Sequence, residues 1–260
     1  MRVGFLQFSP VLFHEKQNLE KISLLLENCH TDVVVLPELC TSGYSFMSHE
    51  EIMPFASEKD GRIPEFFKTI ASREQTAIVA GFLERDGRRF YNSQLFVDPQ
   101  GNQTIYRKTH LFLNEKDHFE PGDTGFKVVN YKGARFGLMV CFDWIFPESA
   151  RTLAVMGADI LCHSANLVLP FCQKAMITRS IENRVYTITS NRTGSEINKE
   201  SKLTFTGMSQ ITDPSGNLIA SANETEEILK VVDIDPTLAR NKMVTGKNHI
   251  LNDRRKEFYE

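Results

Sequence analysis

Three residues from separate parts of the chain have the side-chain types that covalent acyl transfer requires. Cys141 ends the apolar run ARFGLMVC, Glu38 follows the apolar run VVVLP, and Lys108 ends QTIYRK. A cysteine at a strand-to-helix turn can present its sulfur to a ligand, and the nearby helix start favours the thiolate. A carboxylate can accept the thiol proton, and a cation can stabilise the oxyanion that forms after attack. Together the three types indicate a nucleophilic cysteine with a base and a cation.

Each of these residues also has a simpler interpretation when it is taken alone. A free cysteine is commonly an inert core residue, and an isolated Glu or Lys is commonly a solvated surface charge. Histidine is the more usual base for a thiol, and His110 and His163 are the nearest candidates by context. His110 shares a face with Lys108 if the segment is extended, but neither histidine lies in a papain-type or caspase-type signature. The residues alone leave both kinds of base open.

The composition restricts the class of protein. The chain has 260 residues, of which 41% are hydrophobic and 24% charged, with a net charge of −3, so neither nucleic acid nor an anionic membrane is expected as a partner. The five cysteines include no CxxC pair, which argues against a disulfide framework and a metal site. No secretory signal follows Met1, and runs such as VVVL (33–36) are too short to cross a bilayer. We therefore expect a cytoplasmic protein.

Short β-rich runs alternate with amphipathic helical segments along the chain. The predicted strands lie at 3–8, 33–37, 77–84, 93–97, 103–108, 126–130, 134–141, 158–165, 185–191, 206–213 and 226–234, and the predicted helices at 15–29, 64–74, 147–157, 172–184 and 236–242. The turn DPQG (98–101) predicts a hairpin. No linker interrupts the pattern, so we predict a single domain over 1–260, with 246–260 as a C-terminal arm. The pattern predicts an α/β layered sandwich.

Three segments give a more specific indication when they are read in order. LPELCTSGY (36–44), YRKTHLF (106–112) and GLMVCFDWIFPE (137–148) resemble the three motifs of the nitrilase superfamily of carbon–nitrogen hydrolases. Further similarity in FEPGD (119–123), HSAN (163–166) and RSIENRVYTITSNR (179–192) extends the resemblance over nearly the whole chain. The resemblance implies a four-layer αββα sandwich and chemistry without a metal or organic cofactor.

The same resemblance implies a role for each motif residue. Glu38 would be the general base, Cys141 the nucleophile, and Lys108 the cation that stabilises the tetrahedral intermediate. Glu115 fits a further carboxylate that positions substrate and orients the lysine, and Glu120 is the weaker candidate for that position.

Other residues near the motifs are candidates for binding substrate. The main-chain N–H of Phe142 would be a second oxyanion donor beside the lysine. The rings of Tyr44 and Trp144 could line the pocket or belong to the core. Asn166 is a further candidate, although a structural role is expected for it in a buried polar network with Arg179, Glu182 and Asn183.

The expected reaction is hydrolysis of a small aliphatic amide or carbamoyl compound through a cysteine thioester. Phe-Asp after the cysteine favours an amidase, because superfamily members that act on nitriles commonly have Trp-Glu there. CFDW and the NLVLP run (166–170) nevertheless resemble small archaeal-type nitrilases, so a nitrilase acting on aliphatic (di)nitriles is the alternative. A catalytically silent binding protein would have a broken Glu–Lys–Cys set. The resemblance also implies a homodimer or larger assembly, formed through helices 147–157 and 172–184.

Overall fold

Two six-stranded sheets form the centre of the molecule. The computed structural model describes residues 1–259. The strands of the first sheet are β1 (Arg2–Gln7), β2 (Val33–Val35), β3 (Ala77–Asp86), β4 (Arg89–Val97), β5 (Gln103–Arg107) and β14 (Ile228–Asp233), in the order β14-β1-β2-β3-β4-β5. The central strands β1, β2 and β3 are parallel, and β3, β4 and β5 continue as antiparallel hairpins.

The second sheet repeats this arrangement. Its strands are β6 (Lys127–Tyr131), β7 (Ala134–Val140), β8 (Ile160–Ala165), β9 (Tyr186–Asn191), β12 (Gln210–Thr212) and β13 (Leu218–Ser221), in the order β13-β12-β9-β8-β7-β6. Here β7, β8 and β9 are the parallel strands. The carboxyl ends of the parallel strands lie at one edge of each sheet, so the residues that follow β2 in the first sheet and β7 in the second are candidates for functional residues.

Helices cover the outer face of each sheet. The helices are α1 (Glu15–Leu25), α2 (His49–Ile52), α3 (Arg62–Glu74), α4 (Glu115–His118), α5 (Pro147–Val155) and α6 (Cys172–Asn183). Along β2, Val34 packs in the cluster that contains residues of α3, whereas Val33 and Val35 pack in the cluster that spans both sheets. This alternation follows from the two-residue period of a strand, and it confirms the predicted αββα sandwich.

Several predicted elements differ from the observed ones. The segment 236–242 forms a 3₁₀ helix, Pro236–Arg240, whose first turn is capped by the Asp235 side chain. The strand predicted at 206–213 is limited to Gln210–Thr212, and α1 ends at Leu25. The hairpin of β10 (Ser195–Asn198) and β11 (Ser201–Thr204) was not predicted, because its alternating polar residues give no apolar run.

Residues 246–259 contain one turn of 3₁₀ helix, Lys256–Phe258, and most of them are exposed. Within residues 1–259, no helix has both the length and the apolar character needed to cross a membrane.

Candidate active site

Glu38 lies in the turn that follows β2 and is completely buried. The chain reverses sharply at Leu39, whose φ is +44°. Gly81 of β3 allows this turn to pack against the sheet, because a Cβ atom there would lie 2.4 Å from the Cα atom of Glu38. The carboxylate position therefore depends on close contact between two backbone segments.

Lys108 follows β5 and is also buried, and its ammonium lies between two carboxylates. Its Nζ donates to Glu38 Oε1 and to Glu115 Oε1, both at 2.7 Å. Asn92 of β4 donates from Nδ2 to Glu38 Oε1 at 2.6 Å and to Glu115 Oε1 at 3.3 Å. Glu115 Oε2 accepts from the Phe112 main-chain N–H at 3.0 Å, which fixes the second carboxylate. The predicted position of Glu115 beside the lysine agrees with this geometry.

The FEPGD segment (119–123) forms a hydrogen bond with the main chain of Lys108. The Gly122 main-chain N–H donates to the carbonyl oxygen of Lys108 at 2.9 Å. A Cβ atom at position 122 would lie 2.1 Å from the Arg107 carbonyl oxygen, so only glycine fits there without displacing the backbone.

Cys141 begins a 3₁₀ helix, Cys141–Ile145, immediately after β7. Its φ is +38°, in the left-handed region, a conformation that costs on the order of 1–3 kcal/mol for a residue with a side chain. Its sulfur lies 3.8 Å from the carbonyl oxygen of Asn166. The Asn166 side chain donates from Nδ2 to the Glu38 carbonyl oxygen at 3.0 Å, so one residue contacts both the nucleophile candidate and the base candidate.

The pKa values of the buried groups place the proton on sulfur in the resting site. Burial raises the pKa of Glu38 to about 7, although the charge of Lys108 lowers it. Burial and the charge of Glu38 raise the pKa of the Cys141 thiol well above its ordinary value. Burial lowers the pKa of Lys108, but the Glu115 and Glu38 carboxylates together outweigh this effect and raise it. The resting site therefore holds a thiol, an ammonium and a carboxylate able to accept a proton near neutral pH.

His163 holds the main chain of the nucleophile turn. The imidazole Nε2 lies 2.9 Å from the Cys141 carbonyl oxygen and Nδ1 lies 3.2 Å from Thr189 Oγ1. A carbonyl oxygen only accepts, so Nε2 carries the proton and Nδ1 accepts from the hydroxyl. Burial lowers the pKa of His163 to about 4, so the ring is neutral at physiological pH. None of the hydrogen bonds formed by His163 or His110 involves the sulfur, and this geometry does not support a Cys–His pair.

The candidate substrate-binding residues lie around this cluster. Tyr44 is buried, and the pKa of its hydroxyl is raised well above its ordinary value by burial and then by the charges of Glu115 and Glu38. Phe142 and Trp144 border a cavity of about 10 Å³ next to Cys141. The full lining of this cavity is Phe112, Cys141, Phe142, Trp144, Asn166, Leu167, Val168 and Leu169.

A second cavity, of about 180 Å³, adjoins Tyr44 and Glu115 on the other side of the cluster. The loop that carries Tyr44 is fixed by Glu196 of β10, whose carboxylate accepts from the main-chain N–H groups of Tyr44 and Ser45 at 3.0 and 2.8 Å. Arg192, completely buried, pairs with this carboxylate. Neither Arg192 nor Glu196 was selected from the sequence.

Three of the four residues expected in a buried polar network, Arg179, Glu182 and Asn183, contact one another. Arg179 of α6 donates to the Trp144 carbonyl oxygen from Nε at 3.3 Å and from Nη2 at 3.2 Å. Its Nη1 donates to Glu182 Oε1 at 3.0 Å, and Asn183 donates to the Arg179 carbonyl oxygen at 3.0 Å. Asn166 faces Glu38 instead and is not part of these contacts.

A four-layer sandwich that buries a glutamate, a lysine and a cysteine together defines a class of hydrolases that cleave carbon–nitrogen bonds through a thiol. The family model described as carbon-nitrogen hydrolase matches residues 2–242. The chain belongs to the carbon-nitrogen hydrolase family, and the resemblance to the nitrilase superfamily drawn from the motifs is confirmed.

Individual relatives cover most or all of the chain. A protein named nitrilase from Pyrococcus abyssi is 42% identical over 263 residues, which are 100% of this chain and 99% of the relative. An (R)-stereoselective amidase from Pseudomonas sp. is 33% identical over 86% of this chain and 80% of the relative. The crystal structure of a carbon-nitrogen hydrolase from Helicobacter pylori G27 superposes with a TM-score of 0.89 at 27% identity, covering 100% of this chain and 97% of the other.

Proposed function

We propose that this protein hydrolyses the carbon–nitrogen bond of a small aliphatic amide or carbamoyl compound through a thioester on Cys141. The observation that carries this proposal is the buried ammonium of Lys108, which lies 2.7 Å from both Glu38 and Glu115. A buried cation between two carboxylates beside a buried thiol supplies a nucleophile, a base and an oxyanion partner without a metal ion or organic cofactor.

The reaction proceeds in two halves. Glu38 accepts the thiol proton while the Cys141 sulfur attacks the carbonyl carbon, and Lys108 with the Phe142 main-chain N–H stabilises the oxyanion. The protonated Glu38 gives its proton to the leaving nitrogen, ammonia or an amine departs, and a thioester remains. Glu38 then takes a proton from water, the hydroxide attacks the thioester, and the carboxylic acid product leaves as the sulfur regains a proton.

The residues around Cys141 favour an uncharged acyl group. The lining of the cavity beside it includes the apolar side chains of Phe112, Phe142, Trp144, Val168 and Leu169. Burying a neutral polar group without a partner against such walls costs roughly 2–7 kcal/mol, and burying an unpaired charge costs far more. Short aliphatic amides meet this restriction better than substrates with an ionised acyl chain.

A substrate panel tests this function. Propionamide, butyramide and N-carbamoyl amines are incubated with the protein while ammonia is measured and the intact mass is followed after a rapid quench. We expect ammonia release together with an acyl adduct on Cys141, and Cys141→Ala should lose both. Failure of every substrate to give ammonia or an adduct would favour the silent binding protein, although the intact Glu38–Lys108 pair argues against it.

A nitrilase is the second candidate, because the relative from Pyrococcus abyssi at 42% identity carries that name. Attack of Cys141 on a nitrile gives a thioimidate, which needs a first water to release ammonia and a second to release the acid. Comparison of kcat/KM for matched pairs, such as propionamide and propionitrile, decides between the two. A larger value for the nitrile would reject the amidase assignment while keeping the nucleophile.

We also propose a single domain over 1–260 that assembles at least as a homodimer through α5 and α6, with 246–260 as a clasp. Support comes from the exposed apolar residues on and beside these helices, Val155 (51%), Met156 (48%) and Ile181 (51%). A monomeric mass by light scattering at micromolar concentration would reject the dimer.

A cytoplasmic location is supported by the five free cysteines, since thiols persist in a reducing compartment, and cell fractionation tests it.

A further inference from the structure

Asp143 is a buried carboxylate two residues after the nucleophile, and it takes no part in the proposed proton transfers. Its Oδ2 accepts from the Val140 main-chain N–H and from the Tyr106 hydroxyl, both at 2.8 Å. Its Oδ1 accepts from His110 Nδ1 at 2.7 Å and from the His110 main-chain N–H at 3.2 Å. An ionised carboxylate offers about four acceptor sites, and here all of them are used.

The four donors come from two different chain segments. Val140 ends β7 and immediately precedes Cys141, whereas Tyr106 and His110 lie on either side of Lys108. One carboxylate therefore joins the turn that carries the sulfur to the segment that carries the ammonium. Hydrogen bonds to an ionised acceptor are shorter and stronger than neutral ones, which makes this connection stiff.

The imidazole of His110 is held on its other side by an aromatic ring. It stacks on Phe146, with ring centroids 3.9 Å apart and an angle of 18° between the planes. Phe146 immediately precedes α5, so the imidazole of His110 lies between the Asp143 carboxylate and the start of a helix. Because a carboxylate cannot donate, His110 Nδ1 carries the proton in this contact.

We propose that Asp143 and His110 are positioning residues that fix the Lys108 ammonium relative to the Cys141 sulfur, without contacting the substrate. The inference rests on the proposed function, because the separation matters only if Lys108 stabilises charge that develops during attack by the thiol. A misplacement of about 1 Å between reacting groups can lower a rate by about a hundredfold, so a stiff connection between the two segments has a large effect on catalysis.

Asp143→Asn tests the connection, with Asp159→Asn as the matched control. Asp159 is equally buried and accepts from the Arg135 main-chain N–H and from Arg135 Nη2, both at 3.0 Å, away from the cluster. We expect Asp143→Asn to lower kcat by about a hundredfold with little change in KM. Asp159→Asn should lower the melting temperature and leave kcat unchanged. Equal kcat values for the two variants would overturn the proposal.

A second pair of variants keeps the test valid if Asp143→Asn does not fold. His110→Asn retains an N–H donor near the position of Nδ1, whereas His110→Leu removes it. Because the His110 side chain is 27% exposed, we expect both variants to fold. We expect kcat close to wild type for His110→Asn and a clear loss for His110→Leu. Loss of acylation in both variants would indicate that His110 is itself the base, and full activity in both would show that the contact is dispensable.

The rate of Cys141 alkylation by iodoacetamide, followed by peptide mass, separates this proposal from the proposed function. The cation of Lys108 lowers the pKa of the Cys141 thiol, so displacement of Lys108 should slow alkylation at neutral pH. If the wild type releases no ammonia from any substrate, the function is rejected. The alkylation rates of Asp143→Asn and Asp159→Asn would still decide whether Asp143 positions the cluster: a slower rate in Asp143→Asn alone supports the proposal, and equal rates overturn it.

Discussion

Replacement of Glu38 by Gln removes the proposed base while conserving its shape and one of its oxygens. The amide oxygen can still accept from Lys108, which also keeps its 2.7 Å contact with Glu115, so the buried ammonium is not left alone. A positioned general base contributes about 10²–10⁴-fold to a rate, and we expect kcat to fall by about a thousandfold. Little change in KM is expected, because the lost group acts on a proton in the transition state.

The pH profile of the same variant gives an independent test. The pKa of Glu38 is raised to about 7, and the base is active only when ionised. Wild-type kcat/KM should therefore fall as pH decreases through about 7, by roughly tenfold for each further unit, since the protonated fraction grows tenfold. Glu38→Gln should lose this acid limb, and its residual activity should be flat over the same range.

Ammonia release between pH 5.5 and 9 is the assay, and Glu84→Gln is the matched control. Glu84 is buried in β3 and accepts from Ser93 Oγ and Arg107 Nη2, both at 2.6 Å, outside the cluster. This control should be less stable than the wild type but should keep its kcat and acid limb. If Glu38→Gln keeps either the wild-type kcat or the acid limb, another group is the base and the reasoning from the raised pKa is wrong.

Three further substitutions test other parts of the site. Lys108→Met should lower kcat by about 10²–10³-fold through loss of oxyanion stabilisation, and quenched intact mass should show no acyl adduct; a persistent adduct would contradict this role. Gly81→Ala should lower the free energy of unfolding by about 1–3 kcal/mol, because the new Cβ would lie 2.4 Å from Glu38 Cα. An unchanged melting temperature would contradict the close contact between these two backbone segments. His163→Leu should cost about 1–3 kcal/mol in unfolding free energy by leaving the Cys141 carbonyl unpaired, and should lower kcat only in part, whereas a histidine base would lose acylation altogether.

The sequence was sufficient to select the main residues of the cluster. Glu38, Lys108 and Cys141 could be singled out because each lies at the end of a predicted strand, and the resemblance to the nitrilase motifs gave their roles and added Glu115. The residues alone could not choose between glutamate and histidine as the base. That choice depends on where the nitrogens of His163 point, which is set by β8 and β9 pairing in the second sheet.

Other contributions could not be predicted because they depend on contacts between distant segments. Asn92 is one of three consecutive polar residues in a mostly buried strand, and its contact with Glu38 requires the register of β3 against β4. Glu196 lies in a hairpin without an apolar run, and its contact with Tyr44 joins residues far apart in the chain. For the fold, the alternation of Val33, Val34 and Val35 between two clusters is not visible in a uniformly apolar run.

The burial of Cys141 near the Glu38 carboxylate has a consequence for the chemical durability of the enzyme. Hydrogen peroxide attacks a thiolate rather than a thiol, and sulfenic acid is the first product. Because burial and the Glu38 charge raise the pKa of Cys141, the proton stays on the sulfur in the resting enzyme. Cys141 should therefore resist oxidation by hydrogen peroxide in the resting enzyme. The same carboxylate that takes the proton from the sulfur during attack would thus protect the sulfur between catalytic cycles.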